Sequence, residues 1–421
     1  MTKNKIAQIC LYLWLLIWPW QTKLILRTSD SPYLEISLFL SLLILLVPTI
    51  IWSHQIFVED YWRFKKGMTK PLWWCALIVW ELITFASIFW AEDFMLALYR
   101  YIILVFGILL FYVVKNTNFL KVKLVIRYFI IGLIAPSLLA IWQFFTQSTF
   151  ASKYFGLAYH ASNILGDSVI ETSAGRFLRA YGSFDHPNTL GGMMVFGIIL
   201  VLYTSLKKEI SRNERLFYLI SFSFFYLALL VSFSRAAWLA LLVSAPFILF
   251  SAWRRGRFQK KLIALFIILV VGISVAAINP SRDLFLGRTQ TDSRLEIKSI
   301  DERELYLEQA KKVIAQNPFM GTGVGAYTTE IKILDNFAFP YWYYQPVHNY
   351  WLLAWAEIGI FGLIAVMLFW LAIFKAGLKN GLWPIILALG VFSLLDHWLW
   401  TQNLGVLVFF MIAGLLFKEN I

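Results

Sequence analysis

Charge is what this chain has least of. Only 14% of its 421 residues are charged, while 60% are hydrophobic. That balance excludes an ordinary soluble globular domain and points to a polytopic membrane protein. Cysteine is nearly absent as well. Cys10 and Cys75 both fall in apolar segments, so neither a disulfide framework nor a cysteine metal site is expected. No small-residue cleavage site follows the basic and then apolar N-terminus, which continues Trp18-Pro19-Trp20-Gln21. Lys3 to Trp20 therefore reads as an uncleaved first span. There is no internal repeat and no separate soluble domain; 1–421 reads as one transmembrane domain.

What is present is a series of apolar runs. Twelve are long enough, or nearly so, to span a bilayer. They lie at about 6–26, 34–52, 72–90, 94–114, 124–146 and 188–206, then 216–232, 236–252, 262–279, 349–372, 382–398 and 402–417. The 18% aromatic content suits many interfacial helix ends. A net charge of +13 raises the question of nucleic acid. Its distribution answers otherwise. With a cytoplasmic N-terminus, the basic loops Arg63–Lys70, Lys115–Arg127, Lys207–Arg215 and Arg254–Lys261 all fall on the cytoplasmic side. The short outer connections, such as Ala91-Glu92-Asp93, are almost free of Lys and Arg, so the charge reports topology. Both termini are then expected in the cytoplasm, the partners include membrane lipids, and no nucleic acid is implied. Two outer segments are long, about 147–187 and 279–347. The second holds a predicted amphipathic helix from Ser299 to Gln316, with Ser299 and Glu302 resembling a capping box and Pro318 as its stop. Long loops on a compact scaffold usually carry function.

Several polar residues stand where polar residues are costly. Arg235 lies in Ser232-Phe233-Ser234-Arg235, between two apolar runs with almost no loop. A charge at a helix centre costs about 2.5–3.5 kcal/mol on insertion scales unless it is paired or faces water. A snorkelling anchor is the plainer alternative; the tight turn and the lack of a nearby acid favour function. Arg179 and His186 precede Pro187-Asn188 at the entry to the sixth expected span, where a simple helix-start motif is the competing reading. Arg176 and His160 read as surface groups and Glu81 as structural. Arg100 lies near the outer end of the fourth span, and Asp396-His397 near that of the eleventh, able to pair with the arginines or with each other. His348 sits where a loop rich in glycine, Gly321, Gly323 and Gly325, leads into the tenth span. A His there can act as a base near neutral pH, or can merely anchor a helix. All of these groups map to the outer leaflet, and gathered arginines suit a diphosphate, because guanidinium pairs bidentately with phosphate oxygens. No Asp-x-Asp pair occurs in an outer loop, so a metal-clamped diphosphate is not indicated. The three-glycine run does not follow a strand in a parallel α/β unit, which excludes a dinucleotide fold.

The run Arg179…Gly182…Pro187-Asn188, the Ser232-x-Ser234-Arg235 turn, the Asn317-Pro318…Gly321-x-Gly323 loop, and His348-Asn349 with Glu357-x-Gly359 together resemble the O-antigen ligase/polymerase superfamily over about 179–362. The resemblance implies an all-α membrane glycosyltransferase of the type-C kind, inverting and metal-independent, without a cofactor. It implies a polyprenyl-diphosphate-linked glycan as donor. Arg179 and Arg235 match the family's diphosphate-binding arginines by position, and His348 its essential histidine. Arg100, His186, Gly321, Gly323, Asn349, Asp396 and His397 are the further substrate-binding candidates; Asp396-His397 has no family match. The expected reaction is glycan transfer to an acceptor hydroxyl at the outer face of the cell membrane. Ligase and polymerase differ only in the acceptor; a lipid, a second lipid-linked glycan and a protein serine are all open, as is the oligomeric state. The rival reading is a transporter for a small anion or a lipid-linked sugar. That would call for ionisable residues or broken spans near the midplane of two matching halves, and no matching halves are found.

Overall fold

The computed structural model describes residues 3–29, 31–65, 71–116, 120–206, 210–289, 294–336, 338–340 and 343–418, without the side chains of 32, 53–65, 289 and 296. Lys66, Lys70, Lys207 and Lys208 of the expected cytoplasmic loops lie outside the described residues.

The chain is mostly helical. Helix α1 spans Lys3–Ile17 and is followed by strands β1 (Lys23–Arg27) and β2 (Ile36–Phe39). Then come α2 (Leu40–Lys65), α3 (Leu72–Ser87), α4 (Phe94–Asn116) and α5 (Val122–Thr146). A second hairpin, β3 (Val169–Thr172) and β4 (Gly175–Leu178), precedes α6 (Pro187–Ser205), α7 (Arg212–Val231), α8 (Arg235–Trp253) and α9 (Arg257–Ile278). Three helices, α10 (Arg282–Thr289), α11 (Arg294–Gln316) and α12 (Tyr327–Leu334), fill the long loop before α13 (Tyr350–Asn380). Helices α14 (Pro384–Leu395), α15 (Trp398–Thr401) and α16 (Asn403–Phe417) close the chain. Among the described residues, seven helices are long and apolar enough to cross a membrane: α4 to α9 and α13. Four apolar stretches are shorter: 40–52 of α2, and α3, α14 and α16.

The bounds of the expected first span, 6–26, are corrected: helix α1 covers Lys3–Ile17, 15 residues, which rise about 22 Å. Pro19, lacking an amide, follows its end, and residues 23–27 pair with 36–39 in an antiparallel hairpin. The Lys23–Glu35 ion pair, at 2.5 Å, holds that hairpin together. The expected second span accordingly starts later, at Leu40. The Ser299 capping box is corrected too: α11 begins at Arg294, so Ser299 is interior. The apolar face expected of that helix, with Tyr306, Ala310 and Val313, packs on Tyr327, Tyr344 and Leu353 of α12, the following loop and α13.

Helix α6 is the axis of the bundle. Nearly every one of its residues is buried; it packs on α7, α8, α5 and α14. Pro187 at its first position is pre-set for a helix start, and His186 caps it, its Nδ1 accepting from the Asn188 amide at 3.1 Å. Where α6 meets the turn before α8, only glycine fits: a Cβ on Gly191 would lie 2.8 Å from that of Ala237 and 2.9 Å from that of Ser234. Helix α13 is kinked at Gly359, whose φ is 67°.

Candidate active site

Two groups of residues flank the start of α6. On one side is the turn between α7 and α8. Phe233 adopts a left-handed φ of 48° there, and Ser234 caps α8 by accepting from the Ala237 amide. Three arginines converge on this turn. Arg235 opens α8, Arg179 donates from Nε to the Ser232 carbonyl at 3.0 Å, and Arg288 of α10 donates from Nε to the Phe233 carbonyl at 3.0 Å. Their charges sit at the positive end of α8, the kind of place that favours anions.

On the other side is an imidazole–carboxylate cluster. Asp396 and His397 lie in the break between α14 and α15, outside the spans. His348, just before α13, places Nδ1 3.8 Å from Asp396 Oδ1. That is an ion-pair contact and not a hydrogen bond; this Nδ1 is buried with no hydrogen-bond partner. The His348 and His397 rings are 5.0 Å apart. Asp396 accepts from the His397 amide at 2.8 Å and from Asn188 Nδ2 at 3.0 Å. Asn188 in turn accepts from Arg179 at 2.8 Å. A continuous path thus runs from the arginine turn through Asn188 to Asp396 and His348.

The environment sets the charges. Burial, reinforced by the positive Arg179, pushes His186 down to about 3. Burial, with His348 beside it, pushes His397 down to about 3 as well. Burial opposes charge on Asp396, but His348 outweighs it and holds the carboxyl well below its usual range. The cluster therefore presents a fixed negative charge to His348. Donor atoms of His348, Asp396 and His397 lie within 4.8 Å of one another, a spacing that can hold a cation.

The cluster opens into a polar cavity of about 300 Å³, lined also by Arg100, His186 and Asn188. Arg100 does not pair with Asp396: it donates to the carbonyls of Thr401 at 2.5 Å and Tyr33 at 2.9 Å. Arg179 is buried and donates to Asn188, which in turn donates to Asp396. Of the two alternatives considered for Asp396-His397, pairing with the arginines or with each other, the contact seen is that of Asp396 with the His397 amide. Asn349 caps α13 and ties it to α14 through the Leu394 carbonyl. Gly321 and Gly323 lie against α13 and α3, not along the cavity. Among groups left aside in the sequence, His160 pairs with Asp167 at 2.7 Å and Glu81 accepts from Tyr101. Sequence reasoning did not single out Arg288, Asn188 as a link, or the Gln21–Glu35 wall of the cavity. The signal for Asn188 was present in its motif. The cavity wall was hidden in what read as spans.

These features define a helical membrane protein with an arginine-rich turn and a carboxylate-backed histidine on either side of one buried helix. Residues 217–367 match the family model described as O-antigen ligase. The resemblance to the O-antigen ligase/polymerase superfamily is borne out by that match, which supports O-antigen-ligase-type glycan transfer in general. The matched segment holds Arg235, Arg288 and His348; Arg179 and Asp396 fall outside it. No curated protein matches the chain.

Proposed function

We propose that this protein transfers a glycan from a polyprenyl-diphosphate carrier to an acceptor hydroxyl at the outer face of the cell membrane, with inversion and without a metal. The chain would cross the membrane twelve times, α1, α3, α14 and α16 being short spans, with both termini in the cytoplasm. The observation that carries the reading is the path Arg179–Asn188–Asp396–His348, which links a cationic turn to an imidazole at a polar cavity.

Asp396 favours the His348 tautomer with its proton on Nδ1, leaving Nε2 as the acceptor. The acceptor oxygen attacks the anomeric carbon as its proton passes to His348. The bond from that carbon to the phosphate oxygen breaks, and the electron pair leaves with the diphosphate. Arg235 and Arg288, at the positive end of α8, take up the growing negative charge. Arg179 has a double role here: it adds charge at the turn and fixes Asn188. A metal is not needed: Asp396 is already engaged by Asn188 and the His397 amide, and His397 Nδ1 by Thr401 at 2.8 Å.

Purified protein, a synthetic polyprenyl-diphosphate-linked glycan and a set of acceptors test this by mass spectrometry of products. His348→Ala is expected to lower the rate by about 10²-fold or more. Arg235→Lys, which keeps charge but loses the planar two-pronged donor, is expected to fold and yet lose most activity. Activity should survive EDTA; loss in EDTA with recovery on adding a divalent ion would replace this mechanism by one using the His348, Asp396 and His397 cluster as a metal site.

A further inference from the structure

Part of the wall of the cavity that His348 lines comes from the N-terminal hairpin. Lys23, Glu35, Ser37 and Phe39 belong to β1, β2 and the turn between them, and Gln21 immediately precedes β1. At about 300 Å³ the cavity has the size of a small-ligand pocket.

Its chemistry is distinctive. The fixed cations on its wall are engaged: Lys23 by Glu35, and Arg100 by two backbone carbonyls. Other groups are not. Gln21 is only 5% exposed, makes no side-chain hydrogen bond, and faces the cavity. The Asp185 carboxylate also faces it and forms no hydrogen bond or ion pair among the described residues. An amide that opens onto a cavity without a protein partner has its donors and acceptor available to a ligand. Tyr33 stands edge-on to the His397 ring at 5.7 Å and offers a further hydroxyl. Burial pushes the Asp185 carboxyl above its usual range, and the charged Glu35 and Asp396 carboxylates are matched by Lys23 and Arg100. An entering anion would meet no free cation on this wall.

We propose that this cavity is the acceptor subsite, that it holds one neutral, hydroxyl-rich sugar residue, and that acidic sugars are excluded because the cations on its wall are already engaged. The assignment to the acceptor rests on the glycan-transfer reading, because the arginine turn that suits a diphosphate lies outside the cavity. Gln21 and Tyr33 supply hydrogen bonds to sugar hydroxyls, Asp185 accepts from them, and the Tyr33 and Phe39 rings offer apolar faces to the sugar's C–H side.

The test uses the full-length protein in detergent, neutral tri-hexosides and their uronic-acid counterparts, and saturation-transfer NMR. The wild type should bind the neutral set and not the acidic one. Gln21→Ala and Tyr33→Phe should each weaken neutral binding by about fivefold, the loss of one hydrogen bond. Equal binding of both sets, binding of neither, or no effect of both Gln21→Ala and Tyr33→Phe would overturn the proposal. Tyr33→Phe removes one oxygen only and guards against a folding defect in the other variant. In the transfer assay, Gln21→Ala should raise the acceptor KM and leave the donor KM unchanged; the reverse would give the cavity to the donor sugar and overturn the acceptor assignment. Selective binding without glycan transfer would sink the enzymatic reading and leave a saccharide site. Transfer indifferent to these variants would do the opposite.

Discussion

His186 and His397 are both held neutral by burial, and this has a consequence for stability. Each titrates at about 3 in the folded chain and at about 6.5 when unfolded. Between those values the unfolded chain binds more protons than the folded one, so stability rises with pH. It is complete above about 6.5 and is lost as pH falls toward 3; Asp396, also held low, adds loss of the same sign at the acid end. The melting temperature of the solubilised protein is expected to drop between about pH 7 and pH 5, and less steeply in His397→Gln. A flat profile would show that these imidazoles take up protons without strain. At this scale the sequence was informative about types and less so about partners. His348, Asp396 and Arg179 stand out because polar groups are costly beside apolar spans. That Arg179 reaches Asp396 through Asn188 depends on helices whose contacts are 208 residues apart in the chain, and no local pattern encodes that.

The loop 318–325 and helix α13 form one element. The kink at Gly359 breaks the helical ladder, and the loop repairs it. Thr322 and Gly323 donate their amides to the Ala356 and Glu357 carbonyls, both at 2.9 Å, and Ile360 donates to the Pro318 carbonyl at 3.0 Å. Glu357 then accepts from the Gly325 amide and from Trp400 Nε1. A side chain at Gly359 would need a backbone conformation that only glycine adopts readily, and its Cβ would fall 2.0 Å from the Phe319 carbonyl oxygen. Gly359→Ala should therefore cost more than the roughly 1–3 kcal/mol of such backbone strain alone, read as a large fall in melting temperature. Gly272→Ala in α9, where a Cβ meets nothing within 4 Å, is the control and should melt as wild type does. The sequence suggested glycines for tight turning or close approach to a ligand. The close approach found is to α13. Most long apolar helices were legible to within about five residues because their hydrophobic runs are unbroken, but α2 and α13 run on past the expected ends at 52 and 372 to Lys65 and Asn380. The first span was misread because Leu24, Ile25 and Leu26 are equally apolar in a strand; only Pro19 and the flanking charges distinguish the two.

For the whole molecule, the proposed topology puts Arg255 in the cytoplasm and Arg288 outside. Single cysteines at these positions, in a chain with Cys10 and Cys75 replaced, are expected to react with an impermeant reagent in intact cells at 288 and not at 255. The reverse pattern would invert the arrangement and place the arginine turn on the wrong side for an outer-face donor. The distance in sequence between Asn188 and Asp396 also has a meaning in time. At about 5–20 residues per second, a ribosome needs about 10–40 seconds to travel from one to the other. For most of that interval α6 is complete while α14 and α15, which complete its surroundings, have not been made. The growing chain therefore has its donor-side arginines long before it has the carboxylate behind His348. On the proposed mechanism chemistry begins only when translation is almost over, and a chain truncated before Asp396 is expected to transfer no glycan.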